Sequence, residues 1–182
     1  MIGTLRLPPG SHPHGIALDA TGGAAYVAFH GADHTGRTLG VVNTDPLALS
    51  AQITLSAAAT GPNGVALIGA SGLVAVANRE TANVSVVNPV TLTVAGQIPA
   101  GRQPDGVIAR GGFGYIANFS DNTVTVFDAA TRAVLATLSV GGQPSLFAAD
   151  PASNDVYLSL HGANEVLRLR DGAVVGAYTG VA

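Results

Sequence analysis

The sequence predicts an all-β chain of about four consecutive four-stranded antiparallel sheets, the architecture of a β-propeller, and three observations carry that expectation. A Pro-X-Gly motif begins at residues 13, 62 and 104, with a degenerate Pro-Ser-Leu copy at 144, so the repeat spacing is 49, 42 and 40 residues. That is the length of a four-stranded blade. Apolar runs of five to seven residues alternate with clusters of Gly, Asn, Asp and Pro, the grammar of short strands and tight turns. Apolar residues keep helical spacing nowhere for more than a turn.

The third copy shows the unit most clearly. Residues 106–110 form a short apolar run, GGFG turns the chain, and 114–118 form a second run. The loop SDN leads into the alternating TVTVFD at 123–128, and residues 133–140 supply the fourth run. The other copies align with it, giving blades at about 13–60, 62–103, 104–143 and 144–182, with 1–12 read as the outer strand and connection of a preceding blade. The first copy is longest because its second-to-third-strand loop is swollen to HGADHTGRT. One such sheet cannot bury a face alone, so successive blades must stack around an axis. The run at 2–7, IGTLRL, reads as an extra N-terminal strand, because the last copy already has its own fourth strand at 173–178. The surplus points to part of a larger ring of roughly six to eight blades. A small four-bladed ring and two chains pairing into one ring are the alternatives, and open blade faces would favour self-association.

Composition narrows the function classes. Of 182 residues 47% are hydrophobic and only 10% charged, the net charge is −3, and all eight basic residues are arginines scattered singly. There is no basic stripe for a nucleic acid. No apolar run reaches the roughly 18 residues of a membrane helix, so no membrane insertion is expected. The absence of cysteine excludes disulfides and thiolate metal sites.

The second-strand segments YVAF (26–29), VAN (76–78), YIAN (115–118) and YLSL (157–160), each followed by a loop and, in the middle copies, a Val-rich third strand, resemble the YVTN-type β-propeller repeat of surface-layer-like proteins. The resemblance covers essentially the whole chain. It implies an exported, periplasmic or cell-surface setting and a binding or scaffold role. The motif's asparagine is replaced by Phe29 and Leu160 in the outer copies. The chain has no Trp, which argues against the WD40 class.

In an antiparallel meander the fourth-to-first and second-to-third connections emerge on the same side of the disc. All five histidines fall in such connections: His12, His14, His30, His34 and His161. Pro-X-Gly opens each innermost strand, which places His14, Asn63, Asp105 and Ser145 around the channel mouth. Adding His30, His161 and the strand-end Asn78 and Asn118 completes the expected ligand-binding face. Residues i and i+2 of an extended chain share a side, so His12 and His14, joined by His30, are a candidate set for a divalent metal ion. Imidazole also suits acid–base work. No resident cofactor is otherwise expected. Nucleophile elbows, P-loops and dinucleotide fingerprints are absent.

Two function classes stay open. One is a non-catalytic module presenting this face to a protein, glycan or small-molecule ligand. The other is a metal-assisted, lactonase-like hydrolase or lyase using the histidines at the channel mouth.

Overall fold

The computed structural model describes residues 3–56, 61–69 and 72–179. Sixteen strands run through them: β1 (Pro13–Leu18), β2 (Ala24–Phe29), β3 (Thr38–Thr44), β4 (Leu47–Thr54), β5 (Pro62–Ile68), β6 (Leu73–Asn78), β7 (Asn83–Asn88), β8 (Thr93–Pro99), β9 (Pro104–Arg110), β10 (Phe113–Asn118), β11 (Thr123–Asp128), β12 (Val134–Ser139), β13 (Pro144–Ala149), β14 (Val156–Leu160), β15 (Glu165–Arg170) and β16 (Ala173–Thr179). Each consecutive four form one antiparallel meander, so four sheets follow one another along the chain. The only helical element among the described residues is a short 3-10 turn, Ala32–His34, in the swollen first-copy loop. No helix among the described residues is long and apolar enough to cross a membrane.

The sheets stack face to face through three apolar seams. Tyr26, Leu39 and Val41 of the first sheet meet Val74, Val76 and Val87 of the second. Ala75, Val84 and Val86 meet Ile116, Phe127 and Val107. Tyr115, Val124 and Val126 meet Val156, Leu158, Leu167 and Leu169. The innermost strands β1, β5, β9 and β13 lie side by side in that order. The glycine of Pro-X-Gly makes this approach possible. A Cβ on Gly64 would stand 2.5 Å from the Asp105 carbonyl oxygen, and one on Gly15 or Gly106 would collide with the carbonyl of Asn63 or Ser145. Each of these glycines therefore faces the X residue of the next blade.

The extra N-terminal strand is not formed among the described residues: residues 3–8 carry no strand. Its alternating Leu5 and Leu7 instead pack onto Ala25, Val27, Phe29 and Val42, on the face of the first sheet turned away from the second. The expected fourth strand of the last blade is present as β16, paired with β15.

Candidate functional site at the channel mouth

Two positions in each repeat build the site. The first is X of Pro-X-Gly, filled by His14, Asn63, Asp105 and Ser145. The second is the residue following the second strand of each blade: His30, Arg79, Phe119 and His161. All eight side chains line one hollow of about 340 Å³, joined by His34 and Leu146.

A repeated backbone bond holds the two positions in register. The residue before each proline, His12, Gly61, Gln103 or Gln143, has positive φ, between 41° and 62°. Its carbonyl accepts the N–H of the residue after the second strand: His30 at 3.2 Å, Arg79 at 3.0 Å, Phe119 at 3.1 Å and His161 at 3.0 Å. The left-handed turn is thus what ties the inner strand to the loop beside it.

Asp105 is the hub of the polar half. Asn63 Nδ2 and Arg79 Nη1 both donate to its Oδ1, the latter at 2.5 Å, and Ser145 Oγ donates to Oδ2 at 2.5 Å. The carboxylate therefore ties blades two, three and four together by accepting three protein donors. Arg79 lies over the ring of Phe119, 5.1 Å from its centroid, and Phe119 lies 5.8 Å from the His161 ring. A guanidinium over an aromatic face is favourable, so Phe119 holds Arg79 in place on the wall of the hollow.

The other half is imidazole. The His14 and His30 rings are 5.5 Å apart, and His30 and His34 meet edge-on at 4.4 Å. His34 Nδ1 lies 3.5 Å from Glu80 of the second blade. Burial lowers the His30 pKa below the ordinary histidine value, and the adjacent His34, His14 and Arg79 push the same way. His30 is thereby favoured as a neutral imidazole.

The structure brings together His14, His30, Asn63, Asp105, Ser145 and His161 around one hollow and places three other candidate residues elsewhere. His12 is exposed and does not line the hollow: its positive φ and the irregular pairing between Pro13 and Ile16 break the two-residue alternation that would place it beside His14. Among the described residues, no three His, Asp or Glu side chains stand together in an arrangement that would hold a metal ion. Asn78 and Asn118 are fully buried rather than presented to a ligand. Asn118 accepts from Gly101 N at 2.9 Å and donates to the hydroxyls of Thr123 and Thr125, while Asn78 donates to Asn83 and Ser85. They fasten the strand ends behind the site. Arg79 and Phe119 went unselected in the sequence, although their signal was there: they occupy the same offset as His30 and His161.

Fold and site together define an open arc of four β-propeller blades with a polar, histidine-rich channel mouth. No protein-family model matches the sequence, and no curated protein matches it. Solved structures do. Hydrazine synthase from Kuenenia stuttgartiensis superimposes with a TM-score of 0.79 at 18% identity, over 97% of this chain and 51% of that one. Virginiamycin B lyase from Staphylococcus aureus gives 0.77 at 14% identity, over 94% and 57%, and a protein of unknown function from Bacteroides caccae gives 0.68 at 13%, over 96% and 63%. At these identities the likeness is one of fold. The chain spans about half the length of the first two structures.

Proposed function

We propose that this chain is a propeller module that binds a small polar molecule at its channel mouth. The observation that carries the reading is convergence: four blades each send two side chains, from the same two repeat positions, into one hollow. Ligand pockets are concave and combine a few placed polar groups with apolar walls, and this hollow has both. A small molecule fits better than a protein or glycan partner, because the recognising groups are set inside a hollow instead of along a loop crest. The YVTN resemblance makes an exported or cell-surface setting part of the same proposal.

The test uses the five histidines as reporters. A library of small polar molecules is titrated while the ring Cε1–H signals are followed by NMR, in the parent and in Arg79→Ala. Binders should move His14, His30 and His161 together, leave exposed His12 behind, and weaken in the variant. Hits that move His12 alone, or bind Arg79→Ala as well as the parent, would place the ligand elsewhere.

A second reading is favoured by one observation, the neutral His30 flanked by two further imidazoles. Such a group suits proton abstraction, and lyases stand among the structural neighbours. One of them, virginiamycin B lyase, was solved with quinupristin in a form made catalytically inactive by a histidine-to-alanine change. The chemistry of that reading is acid–base catalysis by imidazole. Its metal-assisted form is checked by elemental analysis of the purified chain beside His14→Ala and His30→Ala, where stoichiometric metal lost in both variants would establish it.

A further inference from the structure

Leu146 stands where the other three repeats carry glycine. Gly15, Gly64 and Gly106 are each required because the next blade's X carbonyl fills the space a Cβ would need. In the fourth copy, Pro-Ser-Leu, a leucine side chain projects from the same position. A further blade seated on β13 at the spacing of the three internal seams would collide with it. The side chain is 62% exposed and lines the channel mouth beside Ser145, Phe119 and His161. The repeat has therefore exchanged a packing position for a wall of the site.

The two apolar groups of the hollow, Leu146 and Phe119, come from blades four and three. The groups that receive negative charge come from elsewhere. Arg79 spends one Nη on Asp105, while a guanidinium has five N–H donors. Beyond it lie the rings of His14, His30 and His34, and a neutral imidazole still carries one N–H donor. The carboxylates near these donors are Asp105, which already accepts three protein donors, Glu80, facing His34, and Asp33, which lines the neighbouring hollow with His34 and Glu80. An apolar wall set beside a wall of N–H donors matches an amphipathic carboxylate.

We propose that the channel mouth binds amphipathic carboxylates, an aryl or alkyl group against Leu146 and Phe119 and the carboxylate toward Arg79 and the imidazoles, with Leu146 determining the preference. The proposal rests on the reading of the mouth as a small-molecule site.

Phenylacetate, acetate and 2-phenylethanol are titrated into the chain, with the histidine ring signals as readout. Phenylacetate should bind about tenfold or more tightly than acetate, the size expected from burying a ring-sized apolar group, and more tightly than the uncharged alcohol. Leu146→Gly, which restores the repeat's own residue, should weaken phenylacetate about tenfold and leave acetate unchanged, and Leu146→Met should restore the preference. Equal affinity for phenylacetate and acetate, or an unaltered preference in Leu146→Gly, overturns the proposal while the mouth remains a ligand site. A mouth that ignores all three probes yet responds to other members of the polar library overturns the ligand class alone. One that responds to nothing overturns the underlying reading as well.

Discussion

His30 carries the clearest residue-scale consequence. Its ring is wedged between His14 and His34, and burial, with those neighbours, holds its folded pKa below the ordinary value. The unfolded chain therefore binds the proton more tightly than the folded one. Stability rises with pH wherever the unfolded state holds more protons, so this contribution is complete above about pH 6.5 and is lost as pH falls from there through the lowered folded value. Acidification from pH 7.5 to 5.5 should lower the urea midpoint of the parent more than that of His30→Gln. Equal slopes in the two proteins would show that the imidazole cluster does not couple to folding. The carboxylates behave oppositely. Asp155, hydrogen-bonded and charge-paired with Arg170, and Asp128, hydrogen-bonded by Thr131 and Ala130, have lowered pKa values, so their contribution fades only below the ordinary aspartate range.

Among elements, the innermost strands decide the geometry, and the test is steric. Gly64→Ala places a methyl group 2.5 Å from the Asp105 carbonyl oxygen, so β5 and β9 must separate. Overpacking of this kind costs typically about 1–3 kcal/mol. Gly176→Ala, on outer strand β16, meets nothing closer than 3.8 Å and should stay within roughly 0.5 kcal/mol of the parent. Urea denaturation of both variants checks the claim, and equal stabilities would contradict it. The same contrast explains what could be read in advance. Meander order, blade spacing and the X-position ring were legible because the repeat states them in three Pro-X-Gly copies and a degenerate fourth, and in the alternation of apolar residues. Arg79 and Phe119 were hidden because the two middle blades replace the histidine of the outer copies at that position, so the offset repeats through all four blades while the letter does not. Asn78 and Asn118 were placed one residue too far toward the ligand, since a strand's last inward side chain and the first loop side chain are neighbours in sequence but point to opposite surroundings. The N-terminal run has strand-like alternation, yet alternation selects which face is buried and cannot supply a pairing partner.

At the scale of the molecule, the arc ends in two unlike bare faces. Ile16 and Leu18 sit on the same face of the first sheet as Val27 and Ala25, 62% and 59% exposed, only part of that face being covered by Leu5 and Leu7. On the fourth sheet, Val166 and Tyr178 pair across strands β15 and β16, 38% and 53% exposed. Each internal seam joins the leading face of one blade to the trailing face of another, so the free faces are expected to meet head to tail between two copies of the chain. Contacts of that type either close into a ring or propagate. Leu146 weakens them, because it holds an incoming inner strand away from the spacing used within the chain, so association should be concentration-dependent and not permanent. Sedimentation velocity of the parent should show mass rising with concentration. Leu18→Lys and Tyr178→Lys each remove one face, and each alone should shift toward monomer. Mixed together they should form a heterodimer, since each retains the face the other has lost. A mixture as monomeric as its components would show that the two faces are not partners.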